Sequence, residues 1–138
     1  MSPYERVGTS CAVAIVAHPP SAGDARTYRP DRSSARAARE FVRETLAARG
    51  AHDDRVAETL VAELVGNAIR HARTEFEVRV MTAPDHVRVE VEDADRDSDP
   101  ILVDARERPG FGLRLVDGMA QRWGVDRHDR SKVVWFEL

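Results

Sequence analysis

Only one of the 138 residues is a cysteine, Cys11, so the chain cannot close an internal disulfide or build a thiolate metal site by itself. That suits a reducing cytoplasm. An excess of one charge is also missing. Lys and Arg number 21 against 24 Asp and Glu, a formal net charge of -3, which gives no reason to expect nucleic acid or an anionic membrane as a partner. Nor is there an apolar run of membrane length at the start of the chain. Cys11 to Ala17 (CAVAIVA) is too short to cross a bilayer, and no basic cluster precedes it as in a signal peptide. What remains is 42% hydrophobic residues over a length that supports one domain with a real core.

The most informative stretch is Asp54 to Arg73, DRVAETLVAELVGNAIRHAR. Leu60, Val61, Leu64, Val65, Ala68, Ile69 and Ala72 recur at helical spacing and predict one buried face. Asp53 or Asp54 suits the N-terminal end of such a helix. Glu63, Asn67 and His71 are four apart, so an α-helix stacks them on one edge beside the apolar stripe. A carboxylate and a carboxamide in that arrangement suit phosphate chemistry. The Glu accepts a proton from a hydroxyl, and the Asn oxygen is a hard ligand of the kind Mg²⁺ prefers. A plain polar margin on a structural helix fits the spacing equally.

Around this helix the pattern predicts the rest. Ala38, Phe41, Val42, Thr45 and Leu46 predict a helix from about Ser33 to Arg49, stopped by Gly50. Phe76, Val78 and Val80, then Val87, Val89 and Val91, alternate with charged residues about a turn at Pro84-Asp85, which predicts a hairpin with one buried face. Asp93 continues the inward row of the second strand, and a carboxylate there needs a partner. Residues Asp95 to Pro109 read as a long charged connection. Gly110-Phe111-Gly112-Leu113 then opens an amphipathic helix bearing Leu113, Leu115, Val116, Met119, Ala120 and Trp123, and a Gly-rich turn before a helix suits an anion. Trp123-Gly124-Val125 and Ser131 to Leu138 read as closing strands.

The segment ELVGNAIRHA, Glu63 to Ala72, resembles the N-box of the GHKL (Bergerat-fold) ATPases, and is most similar to the anti-sigma factor serine/threonine kinases of actinobacterial type. The order of Asp93, the Gly110–Leu113 glycine box and the closing K-x-V-W-F-E-L pattern matches the same family. The resemblance implies an α/β (α+β) two-layer sandwich, with three helices on one face of a mixed, mostly antiparallel sheet. It implies ATP and Mg²⁺ as cofactors, with Glu63 as catalytic base and Asn67 as the Mg²⁺ ligand. Arg70 or His71 would lie near the phosphates, Asp93 would accept from the adenine amino group, and Gly110, Phe111, Gly112 and Leu113 would hold the nucleotide. It also implies a sigma factor and an anti-sigma antagonist as partners, and a homodimer.

The expected organisation is a leader over residues 1–26, either flexible or an extra strand at Cys11 to Ala17, followed by the nucleotide-binding domain over 27–138 with a lid at about 94–110. Two features depart from the family. The glycines usual after the Asp93 position are replaced by Asp95 and Asp97, and Val133 stands where a Thr is usual. They motivate an alternative function, a degenerate binding module that holds a regulatory protein with weak or no ATP binding and no kinase activity.

Overall fold

A computed structural model describes residues 24–51, 54–95 and 113–138. Five strands and three helices follow in the order β1 (Ala25–Tyr28), α1 (Arg32–Ala48), α2 (Asp54–Asn67), β2 (Phe76–Ala83), β3 (His86–Asp93), α3 (Leu113–Met119), β4 (Arg122–Arg127) and β5 (Lys132–Glu137). The strands form one sheet in the order β1-β2-β3-β5-β4, and each described pairing is antiparallel. With the helices packed on it, this is the two-layer α+β sandwich expected from the pattern.

The alternation in β2 and β3 sets the layers. Phe76, Val78, Val80, Val87, Val89 and Val91 join the core, together with Val134, Phe136 and Trp123 from β5 and β4. The helices close over this face with Ala38, Phe41, Val42 and Leu46 of α1, Leu60, Val61, Leu64 and Val65 of α2, and Leu113 and Val116 of α3. Each large aliphatic or aromatic side chain buried here contributes about 1.5–3 kcal/mol. The outer face carries the alternate residues, among them Arg79, Arg88, Glu90, Glu92, Val133, Trp135 and Glu137, as the register requires.

Chain turns follow local chemistry. Helix α1 ends where Ala51 N–H donates to the Leu46 carbonyl and Gly50 N–H to that of Ala47, with Gly50 at φ 65. That is the Schellman arrangement, for which glycine is suited at this position. The β2–β3 turn places Asp85 at φ 58, a left-handed conformation that Asp tolerates better than most residues.

The structure departs from the sequence pattern at three places. Strand β1 straddles the expected domain start at residue 27. It is four residues long and largely exposed, so no apolar alternation announces it, and it is held by its ladder with β2 and by Val80 N–H donating to the Asp24 carbonyl. The α2 helix does not continue regularly to Arg73. After Asn67 the chain widens into a π-helical turn over Ala68–Ala72, closed by Arg73 N–H on the Ala68 carbonyl at 3.0 Å. Finally, α3 stops at Met119, which is exposed, and Trp123 belongs to β4 rather than to the helix. Trp123 is buried from the strand and donates its indole N–H to Asp117 at 2.9 Å. The leader, the lid and Gly110, Phe111 and Gly112 lie outside the described residues.

Candidate functional site

Three elements meet at one end of the sheet. The C-terminal end of α2 with its π turn, the last residues of β3 and the first of β5 line a small cavity of about 10 Å³. Its walls are Leu64, Asn67, Ala68, His71, Val91, Asp93, Lys132 and Val134. Of the residues expected to act together, Asn67, His71 and Asp93 are therefore brought to one place. A single π turn in an α-helix changes the angular step of the residues beyond it, and such turns recur at functional sites. Here Asn67 is the last residue before the turn and is buried, whereas His71, inside it, is exposed.

Asn67 is the most telling side chain. It is 8% exposed, and among the described residues neither its Oδ1 nor its Nδ2 has a hydrogen-bond partner. A buried carboxamide with both ends unused carries a desolvation cost that a folded protein rarely leaves standing. The oxygen suits a hard cation, and the amide N–H groups suit an anionic oxygen. No group of three or more His, Cys, Asp or Glu among the described residues can hold a metal by itself. A Mg²⁺ ion at Asn67 would thus need oxygens from water and from a polyphosphate it accompanies.

Asp93 ends the inward apolar row of β3 and is 5% exposed. Its partners are now visible. The Asp95 N–H donates to Asp93 Oδ1 at 2.8 Å, and the Lys132 ammonium lies 3.4 Å from the same oxygen. Burial pushes the Asp93 carboxyl above its ordinary range. The Asp95 N–H bond and the Lys132 charge pull against that, while the Asp95 charge adds to it. Lys132 also donates to the Asp95 carbonyl at 2.9 Å, so it ties the start of β5 to the end of β3.

Lys132 opens the closing K-x-V-W-F-E-L pattern but was not among the residues expected at the site. Register explains its place: Asp93 pairs with Lys132, and Glu92 with Val133. Side chains alternate along a strand, so Lys132 shares the inner face with Asp93, and Val133 projects to the other face. The sequence held a signal. Lys132 precedes Val134 and Phe136 by two and four positions, so an ammonium ends the inward row of β5 as a carboxylate ends that of β3.

The other expected residues are less closely gathered. Glu63 lies one helical turn before Asn67 and is half-buried, but it is not among the residues lining the cavity. Arg70 is exposed at its Cα position and folds its guanidinium back over Gly66, where a Cβ would stand 2.8 Å from Nη1. The glycine within ELVGNAIRHA thus makes room for the arginine four residues later. Leu113 is fully buried in the core at the start of α3.

Comparison with known proteins agrees with this geometry. Residues 28–138 match the family described as the histidine kinase-like ATPase domain, and the chain belongs to that family. Membership implies ATP as the ligand of the fold. Among solved structures, the chain is similar to one containing the RsbU and RsbW domains of Rv1364c from Mycobacterium tuberculosis, with a TM-score of 0.60 and 20% identity. The match covers 82% of this chain and 31% of that one, so this chain spans under two thirds of its length. No protein with a curated description matches the sequence significantly. No described helix is long and apolar enough to cross a membrane.

Proposed function

We propose that residues 27–138 bind ATP with Mg²⁺ and act as a cytoplasmic serine/threonine protein kinase that doubles as an anti-sigma factor. The observation that carries the nucleotide part is buried Asn67, with both polar ends unpartnered, in the same cavity as buried Asp93. Family membership and the RsbW domain in the structural neighbour support the regulatory part.

In this reading ATP, when bound, supplies the phosphoryl group. Asn67 Oδ1 is the protein ligand of Mg²⁺, and Asp93 accepts a hydrogen bond from the exocyclic amino group of the base. Glu63 takes the proton of an attacking serine hydroxyl on a small antagonist protein. Arg70 or His71 would lie nearest the phosphates, and the stretch 94–110 would serve as the lid over them. Gly110, Phe111, Gly112 and the Leu113 N–H hold the phosphate end at the start of α3. Phosphorylation of the antagonist alternates with sequestration of a sigma factor by a homodimer.

Calorimetry with Mg-ATP tests the first step. Binding that weakens when Mg²⁺ is left out is expected, followed by single-turnover transfer to an antagonist serine that Glu63→Gln abolishes. A second reading is favoured by one observation. The cavity at Asp93 holds about 10 Å³, room for roughly one water and not for a purine. A base enters only if the cavity widens around Asp93. If it does not, the domain is a partner-binding module without kinase activity, and millimolar nucleotide gives no heat.

A further inference from the structure

Lys132 is a charged side chain almost removed from water, 6% exposed, at the point where the base is expected to be read. Its placement is specific. The ammonium lies 3.4 Å from Asp93 Oδ1 and 2.9 Å from the Asp95 carbonyl, and the Asp95 N–H takes the same Asp93 oxygen at 2.8 Å. The described contacts of Asp93 thus fall on Oδ1, and Oδ2 is the oxygen that a ligand can use.

A carboxylate reads an exocyclic amino group because it only accepts. Once protonated, it carries an O–H and can donate to a carbonyl as well, so the reading is lost. Burial favours the protonated form, and an ammonium beside the carboxylate favours the ionised one. The groups facing Asp93 are Lys132 from β5, Asp95 from its own strand end and His71 from the turn after α2. Of these Lys132 carries the permanent opposite charge. A buried ion pair with one oxygen left over is a poor stabiliser of a fold. It is a good way to fix an acceptor in one orientation.

We propose that Lys132 is a positioning residue that fixes Asp93 as an acceptor and so sets the selectivity of the site for a 6-amino purine over a 6-oxo purine. This rests on the nucleotide reading above. Val133, which departs from the family pattern, is not the neighbour of Asp93 on this face, so the selectivity device of this chain lies one residue earlier.

ATP and ITP differ at C6, amino against oxo, with N1 an acceptor in ATP and an N–H donor in ITP, and their dissociation constants are compared by calorimetry for the wild type, Lys132→Met, Lys132→Gln and Lys132→Arg. Wild type is expected to prefer ATP by about tenfold or more, the worth of one hydrogen bond to a charged group. Lys132→Met and the gentler Lys132→Gln are expected to bring the ratio below about threefold, mainly by weakening ATP, and Lys132→Arg to restore most of it. An unchanged ratio, or an equal loss for both nucleotides, overturns the proposal, because a merely structural lysine would act that way.

The Asp93 carboxyl is also titrated by NMR without nucleotide. Its midpoint is expected to rise by about one pH unit in Lys132→Met, and an unmoved midpoint overturns the proposal on its own. Wild type that binds neither nucleotide sinks the ATP reading and the selectivity with it. A midpoint that still moves then shows that the pairing stands, so the two failures are told apart.

Discussion

Among the described residues two ion pairs are buried in the sheet, one on each face, and they are built differently. On the outer face Arg88 and Glu137 are 5% and 1% exposed. Arg88 places Nε and Nη2 each 2.8 Å from Glu90 and Nη1 3.2 Å from Glu137, and its guanidinium lies 4.1 Å from the Trp135 ring centre. Glu137 meets Arg122 at 3.1 Å and His86 at 3.5 Å as well. Every nitrogen of Arg88 has a carboxylate. On the inner face Lys132 and Asp93 are equally buried, but the contacts crowd onto one oxygen, and Asn67 in the same cavity has no hydrogen-bond partner among the described residues. Burial of charge alone therefore does not mark a site, and neither does a single unused atom, since Glu137 Oε1 and the Trp135 indole N–H on the outer face also lack a hydrogen bond among the described residues. What sets the inner face apart is that its unpartnered carboxamide and its buried ion pair line one cavity.

The largest effect tests the outer network. Arg88→Ala removes the cation shared by Glu90 and Glu137 and the group stacked on Trp135. Losing one member of a buried charge network costs about 3–5 kcal/mol, so urea unfolding is expected to show a midpoint lowered accordingly. Nucleotide affinity of the remaining folded protein should stay within about twofold. A large loss of binding at unchanged stability would reverse the assignment of the two faces.

Asn67→Ala is expected to do the opposite. Removing the Mg²⁺ ligand should weaken Mg-dependent nucleotide binding by about 100-fold, at the upper end of what a changed metal site costs. Stability should change by less than about 1 kcal/mol, because an unpartnered buried amide contributes little to hold the fold. If Asn67→Ala unfolds the protein while binding persists, the carboxamide is a structural group.

Gly124→Ala probes how tightly the outer face is set. A Cβ there would stand 2.7 Å from Cζ2 of Trp135. That ring is held under Arg88, so overpacking should cost about 2 kcal/mol, read as a fall in thermal midpoint without effect on ligand affinity.

These contrasts were only partly legible in the chain. The hairpin and its inner row could be read because Val78, Val80, Val89 and Val91 repeat at the strand period, and α2 because its apolar residues repeat at the helical one. Strand β1 could not, because an exposed edge strand of sequence ARTY is held by ladder bonds rather than by an apolar row. The π turn was hidden because AIRHA continues a helical pattern, and a wider turn is a matter of backbone closure. At the site, Asn67 and Asp93 stood out because polar residues interrupt or end apolar rows. Lys132 obeys the same rule but needed the β3–β5 register, a long-range pairing no local period states.

The smallest effect comes from Asp93 itself and carries a sign of its own. Its folded carboxyl titrates above the ordinary value of 3.8, first because of burial, against the pull of the Asp95 N–H and Lys132. The folded state thus holds more protons than the unfolded one between 3.8 and the raised value. The Asp93 contribution to stability therefore falls as pH rises through that window and is recovered as pH drops. Nucleotide affinity should follow the ionised carboxylate and weaken as pH falls through the raised value, while the Asp93 share of stability improves. Parallel urea and calorimetric titrations of wild type and Asp93→Asn separate the two. The asparagine variant should lose this acid-side change in affinity, and its stability difference from wild type should vary with pH only inside that window. A wild-type affinity that stays level through the window would mean that Asp93 does not read the base.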